Sequence, residues 1–135
     1  MNTIGKIAGS AGVSVDTVRF YERTGLLPRA QRTASGYRLY AEATVDRLRF
    51  IRQAKMLGFS LEDIAELLRL NDGGGSRRAV RGIAQRRLAE VERRIADLER
   101  MRATLAHLVG ECSGSGTVHG CPIIESLVRE PDGRG

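Results

Sequence analysis

The stretch "TIGKIAGSAGVSVDTVRFYERTG", residues 3–25, has the pattern of two short helices joined by a tight turn. Ser14 is a typical helix N-cap residue, and Gly12 accepts the left-handed backbone conformation that ends many helices. These signals predict one helix over residues 4–11 and a second over residues 15–25. Two short helices connected by "AGVS" indicate a helix-turn-helix.

The segment "RAQRTASGYRLY", residues 29–40, follows the second helix and combines basic, turn-forming and β-prone residues. A Ser-Gly turn between two extended arms predicts a small β-hairpin, or wing. Two more helices are predicted over residues 42–57 and 60–70, the latter opened by the capping box "SLED". The apolar residues expected on the inner face of the former are Val45, Leu48, Ile51 and Met56.

One long helix without proline is predicted over residues 78–110. Its apolar residues recur at heptad spacing, with one seam position taken by Arg102. A helix of this kind leaves its apolar stripe uncovered, so the sequence predicts a two-stranded coiled coil with a second copy, assigned as antiparallel. Packing of the helix against its own domain is the alternative. The seam consists of Ala84, Leu88, Val91, Ile95, Leu98, Leu105 and Val109.

The net charge of +6 is concentrated at the N-terminal end of the chain. Residues 1–60 contain ten Lys and Arg against four acids, whereas the remaining residues contain twelve of each sign. A basic face is what a polyanion-binding domain requires, although a solvated surface has the same composition. Arg can contact guanine or phosphate, and Tyr hydroxyls commonly contact the DNA backbone. The predicted DNA contacts are Thr17, Arg19, Tyr21 and Arg23 on the second helix, and Arg32, Tyr37 and Arg38 on the wing.

The only two cysteines, Cys112 and Cys121, flank a loop rich in glycine, serine and threonine. No apolar run reaches the ~20 residues of a membrane span, and the start of the chain lacks a signal-peptide pattern, so a cytoplasmic protein without membrane contact is expected. There, a cysteine pair binds metal or senses redox more often than it forms a structural disulfide. Pro122 places Cys121 at the start of a short helix, where N–H groups favour a thiolate.

The segments "TVRFYERTGLL", "GYRLY" and "LRFIRQAKMLGFSLEDI" strongly resemble the DNA-binding domain of the MerR family of transcription regulators, and the resemblance continues to "CPIIESL". It implies a winged-helix homodimer that binds a palindromic promoter with an overlong spacer. Activation underwinds and bends that DNA so that RNA polymerase engages both promoter elements. No catalytic constellation is present in the sequence, and an enzyme is not expected.

In the metal-sensing branch of the family, two loop cysteines bind the ion, and Cys112 and Cys121 match those positions. Relatives that sense divalent ions have a third cysteine near the start of the dimer helix, and those that sense coinage metals have serine. Ungapped comparison places Arg77 there, directly after Ser76. Cu(I), Ag(I) or Au(I) is therefore the expected ion, because two thiolates suit soft two-coordinate metals.

Hg(II) or Zn(II) is the alternative, because the eight-residue loop between the cysteines resembles that of mercury and zinc sensors. His119 in this loop is a possible zinc ligand but is expected to be an exposed loop residue. A thiol redox or metal-buffering protein is a more distant alternative, with incidental DNA affinity. The predicted fold is all-α with a β-hairpin wing: a winged helix-turn-helix over 1–70, a hinge over 71–77, a dimerisation helix over 78–110, a metal-binding loop and short helix over 111–128, and a flexible tail over 129–135.

Overall fold

A computed structural model describes residues 2–129, and over this range the fold is mostly helical with one two-stranded sheet. This confirms the predicted all-α class with a small hairpin. The flexible tail was predicted over residues 129–135, and all of it except Arg129 lies outside the described residues. The elements in chain order are α1 (Ile4–Ala11), α2 (Val15–Arg23), β1 (Gln31–Arg32), β2 (Arg38–Leu39), α3 (Ala43–Met56), α4 (Leu61–Gly73), α5 (Arg77–Glu111) and α6 (Pro122–Val128).

The chain divides into two compact units, the first ending at Arg87 and the second beginning at Leu88. The hydrophobic core belongs to the first unit, where α1, α2, α3 and α4 pack together. Its fully buried side chains remove apolar surface from water, which is the main stabilising contribution in a domain of this size. The largest are Ile7, Val18, Tyr40, Leu48, Ile51 and Ile64.

The helix-turn-helix forms where the capping signals predict it. The Ser14 hydroxyl accepts a hydrogen bond from the Thr17 N–H at 3.1 Å, which caps α2. Gly12 ends α1 with φ of 72°, in the left-handed region that glycine adopts without strain. α2 ends at Arg23, two residues before the predicted end at Gly25.

The wing also forms as predicted. β1 and β2 are antiparallel, with Arg32 opposite Arg38. The turn closes through a hydrogen bond from the Gly36 N–H to the Thr33 carbonyl at 2.9 Å, and Gly36 has φ of 89°. A glycine at this position permits the left-handed residue that follows the turn in such hairpins.

Two predictions about α3 and α4 were wrong. Met56 is 68% exposed, and Ala54 takes the inward position instead. At 3.6 residues per turn, Met56 lies about 140° around the helix from Ile51, which points it away from the core. The hinge predicted over residues 71–77 is shorter, because α4 continues to Gly73 and α5 begins at Arg77.

The long helix α5 agrees with its predicted extent to within one residue at each end. Five residues of its predicted seam remain largely exposed in the single chain, with exposed fractions of 53–65%. An amphipathic helix with this much uncovered apolar surface needs a partner surface. Those five residues are Leu88, Ile95, Leu98, Leu105 and Val109. Within residues 2–129, no helix is both long and apolar enough to cross a membrane.

Candidate nucleic-acid interface and thiol pair

Helix α2 presents arginine side chains to solvent. The Arg19 side chain is 54% exposed and lies 3.8 Å from the Asp16 carboxylate, one turn earlier. Arg23 is also exposed. Thr17 is half-buried, and its hydroxyl shares a 2.8 Å hydrogen bond with the Ser14 hydroxyl. Thr17 therefore belongs to the cap of α2, whereas the two arginines are available to a ligand.

Tyr21, unlike the two arginines of α2, points inward. It is 8% exposed and belongs to the hydrophobic core together with Val18. Residues three apart share one helix face, so the face that carries Val18 also turns Tyr21 inward. Burial raises the pKa of the Tyr21 phenol. Tyr21 is thus a core residue, and its contact with DNA stays a prediction.

The wing exposes all three of its predicted contact residues. Tyr37 at the turn is 72% exposed, and the Arg38 side chain on β2 is 50% exposed. The Arg32 guanidinium is exposed and donates a hydrogen bond to the Gly36 carbonyl at 3.3 Å. Arg38 of the wing lines one cavity with Arg19 and Arg23 of α2, so the two elements share a basic surface of the first unit.

Glu22 connects α2 to the wing, and the sequence-based prediction missed it. Its Oε2 accepts a hydrogen bond from the Ala30 N–H at 2.7 Å, and its Oε1 accepts one from the Tyr40 hydroxyl at 3.0 Å. The Arg38 Nη1 lies 3.7 Å from the same Oε1. The pKa of Tyr40 is raised, first by burial and then by its hydrogen bond to Glu22. One sequence signal pointed to it: Glu22 is the only acid between Asp16 and Glu42.

A cavity of about 420 Å³ lies at the junction of α2 and the wing. Four guanidinium groups and one carboxylate line it, which gives the cavity a net positive charge. Arginine binds phosphate through charge-assisted hydrogen bonds of fixed geometry. The cavity is therefore chemically suited to a phosphate group of a nucleic-acid backbone. Its lining residues are Arg19, Glu22, Arg23, Arg29 and Arg38.

The two cysteines of the second unit are brought together. Both are free thiols and half-buried. Cys121 is the N-cap of α6, with Pro122 as the first helical residue. Hydrogen bonds from the N–H groups of Ile124 and Ile123 lower the pKa of Cys121, and the Cys112 thiol adds a further hydrogen bond that lowers it. A lowered pKa favours the thiolate, which is the form that binds metal.

The described residues offer the thiol pair no additional cluster of ligands. Within residues 2–129 there is no group of three or more His, Cys, Asp or Glu side chains that can hold an ion. His119 is exposed, and its backbone N–H donates to the Thr117 hydroxyl at 3.4 Å. The donor set therefore fits a soft ion that accepts two sulfur ligands.

Ser76 and Arg77 mark the start of the long helix. The Ser76 hydroxyl accepts a hydrogen bond from the Ala79 N–H at 3.2 Å, so Ser76 caps α5 and Arg77 is its first residue. His107 lies 3.4 Å from the Glu111 carboxylate on the exposed surface of the same helix.

A winged helix-turn-helix with a basic face, followed by a long amphipathic helix, defines a class of DNA-binding transcription regulators. The chain matches the family model for the MerR HTH family regulatory protein over residues 2–71. It also matches the model described as "MerR, DNA binding" over residues 45–108. The chain belongs to the MerR family.

The relatives extend this match over nearly the whole chain. A mercuric resistance operon regulatory protein of Serratia marcescens is 45% identical over 133 residues, covering 98% of this chain and 92% of the relative. The transcription regulator PbrR691 from Ralstonia metallidurans, solved in complex with lead(II), has a TM-score of 0.84 at 33% identity, with coverage of 95% and 100%. MerR from Bacillus megaterium, solved with mercury(II), has a TM-score of 0.70 at 34% identity, with coverage of 90% and 95%.

Proposed function

We propose that this chain is a homodimeric, metal-responsive transcription regulator that binds a soft metal ion through Cys112 and Cys121, with Hg(II) as the leading ion. One observation carries the proposal: Cys121 is the N-cap residue of α6, where the backbone N–H groups of Ile124 and Ile123 and the neighbouring Cys112 thiol lower the pKa of its thiol. Two adjacent sulfurs, one with a lowered pKa, form a site ready to release protons and bind a thiophilic ion.

Hg(II) replaces the coinage metals that the sequence favoured. The named relatives include mercuric resistance regulators and a mercury(II)-bound structure, and they give the copper or silver preference no support. The charge balance agrees with this change. Two thiolates and Hg(II) form a neutral site, which minimises the desolvation cost at half-buried sulfurs.

Cu(I) or Ag(I) is the second candidate, because the described residues provide no further ligand cluster. Two thiolates and a monovalent ion carry a net charge of −1, which the N-terminus of α6 partly offsets. Zn(II) prefers four ligands and needs His119, water or a carboxylate to complete its shell. It should bind this pair more weakly than either soft ion.

The DNA-binding role rests on the basic surface of the first unit. Arg19 and Arg23 on α2, with Arg32 and Arg38 on the wing, are exposed and can contact base edges or phosphates. Two copies of this unit contact the two half-sites of a palindromic promoter. On metal binding, the dimer distorts the promoter DNA so that RNA polymerase engages it.

The dimer rests on the uncovered stripe of α5. Leu98 and Leu105 remain 55% and 59% exposed in the single chain, seven residues apart on one helix face. A second copy of the same helix offers a matching apolar stripe. The predicted pairing is an antiparallel coiled coil.

The decisive experiment measures metal binding and transcription on the same reduced protein. Hg(II), Cu(I) and Zn(II) are titrated in competition with a chelator, and each is then tested in transcription from a cognate promoter with purified RNA polymerase. We expect one ion per site, bound through two sulfurs, with activation by Hg(II) at the lowest free concentration. Activation by Zn(II) at a lower free concentration than the soft ions would refute the dithiolate site.

Matched variants locate the site. Cys112→Ser and Cys121→Ser should each abolish the metal response while DNA binding remains, because both cysteines belong to the second unit and α2 to the first. His119→Ala changes an exposed loop residue of the same segment and should leave the response intact. A full metal response in either cysteine variant contradicts the assignment.

A further inference from the structure

We propose that Glu22 is a positioning residue that holds the wing against α2 and orients Arg38 toward a DNA phosphate. The inference rests on the proposed DNA-binding function and adds a residue that makes no DNA contact of its own. Glu22 lies one residue before Arg23 at the end of α2, and its side chain is 11% exposed. A carboxylate so placed meets phosphate with the wrong charge, so its role must come from the protein groups that it binds.

Glu22 contacts the wing at three places: just before β1, within β2 and just after β2. Its Oε2 accepts the Ala30 N–H at 2.7 Å, directly before β1 begins. Its Oε1 accepts the Tyr40 hydroxyl at 3.0 Å, directly after β2 ends, and lies 3.7 Å from the Arg38 guanidinium within β2. One side chain of α2 thereby holds the start and the end of the wing and one of its arginines.

The wing needs such an external anchor. Each of its strands has only two residues, and an isolated two-stranded hairpin is marginally stable in water. Tyr40 also pairs with Asn2 through backbone hydrogen bonds of 2.8 and 2.7 Å. This backbone bridge holds only the end of the wing, whereas Glu22 alone among these contacts joins the wing to α2.

Charge and geometry predict opposite changes in DNA affinity when Glu22 is replaced by a neutral residue. Removing a negative charge from a cavity lined by four arginines raises the attraction for DNA if only charge matters. Loss of the carboxylate weakens the hold on Arg38 and Tyr40, which lowers affinity if position matters. We expect position to dominate, so Glu22→Gln should weaken specific binding by roughly tenfold or more, which corresponds to about 1.4 kcal/mol.

The experiment compares Glu22→Gln with Asp16→Asn, which removes the same charge from the same helix. Asp16 has a side chain that is 96% exposed. The probe is a DNA duplex selected from a random library for binding to the wild-type protein, and affinity is measured at two salt concentrations. We expect Glu22→Gln to bind at least tenfold more weakly, and Asp16→Asn to bind equally or more tightly. Equal or tighter binding by Glu22→Gln overturns the proposal.

A double-mutant cycle separates positioning from general stability. Arg38→Gln alone should weaken DNA binding. If Glu22 acts by positioning Arg38, then Glu22→Gln should cause a smaller loss of DNA affinity in the Arg38→Gln variant than in the wild type. If the losses of DNA affinity from Glu22→Gln and Arg38→Gln are fully additive and Glu22→Gln also lowers the Tm, then Glu22 has a general structural role and the proposal is overturned. If Glu22→Gln does not fold, Tyr40→Phe replaces it, since it removes one bond of the carboxylate. Unchanged affinity in Tyr40→Phe overturns the proposal as well.

These outcomes separate this inference from the proposed function. If the wild-type protein selects no sequence from the library, the DNA-binding function itself fails. If the wild type selects a sequence and Glu22→Gln binds it as tightly, only the positioning role of Glu22 fails.

Discussion

Arg47 and Asp72 form an ion pair, with 3.0 Å between Nη1 and Oδ1, that joins α3 to the last turn of α4. The Nε of the same guanidinium donates a hydrogen bond to the Leu26 carbonyl at 2.8 Å. One arginine therefore ties together the segment after α2, helix α3 and the end of α4. This contact explains why α4 extends past the hinge that its asparagine, aspartate and glycine residues predicted.

Asp72 should contribute a pH-dependent part of the stability. Its hydrogen bond with Arg47 lowers the pKa of Asp72 in the folded protein. The unfolded chain then binds the proton more readily, so the stabilisation is present above the ordinary aspartate pKa of about 3.9 and is lost as the pH falls through the lower folded value. Asp72→Asn should lower the Tm at pH 7 and change it little in strong acid. Thermal unfolding followed by circular dichroism checks this, and an equal loss at both pH values would contradict it.

Arg19 and Arg38 should contribute differently to DNA binding. Arg19→Ala should cost about 1–3 kcal/mol if the guanidinium contacts a base edge, and it should relax the sequence preference. Arg38→Ala should weaken binding to all sequences and reduce the salt dependence, as expected for a phosphate contact. Quantitative footprinting at several salt concentrations distinguishes the two patterns. Unchanged affinity in both variants would remove α2 and the wing from the interface.

The elements that the sequence predicted best are those with local signals. Ser14 caps α2 and Gly12 ends α1 in the structure, because the capping bond and the left-handed backbone depend on residues close in the chain. The same holds for Cys121, where Pro122 placed the thiol at the start of α6. The family resemblance supplied the metal-binding role that we propose for the cysteines, which the local pattern left open between metal and redox chemistry.

The features that the sequence did not predict depend on contacts between distant residues. Tyr21 is buried because the face of α2 that it shares with Val18 packs into the core formed with the other helices. Glu22 is 18 residues from Tyr40 along the chain, and their hydrogen bond exists only because the wing packs against α2 in the folded structure. A local sequence pattern does not predict such a contact. The end of α4 likewise depends on Arg47, 25 residues earlier.

Leu98→Asp should convert the protein to monomers. Leu98 is 55% exposed in the single chain, on the stripe proposed to pair with a second copy. A carboxylate there faces apolar residues of the partner in both subunits, which is costly without a counter-charge. Arg93→Asp places the same group on an exposed position off the stripe and is the matched control. Sedimentation equilibrium measures the mass, and a wild type that is already monomeric at micromolar concentration would refute the interface.

Cys121 should react with iodoacetamide faster than Cys112 at neutral pH. The N–H groups of Ile124 and Ile123 lower the pKa of Cys121, so a larger fraction of this thiol is present as the reactive thiolate. Cys112→Ala removes the hydrogen bond from the neighbouring thiol and should move the pH profile of Cys121 alkylation to higher pH.

Mass spectrometry of protein quenched at successive times gives both rates, with protein unfolded in denaturant as the control in which the helix contribution disappears. One equivalent of Hg(II) should protect both cysteines together, because each supplies one of the two sulfur ligands. Equal alkylation rates in the folded protein would contradict the thiolate assignment. Protection of Cys121 alone would show that Cys112 is not a ligand.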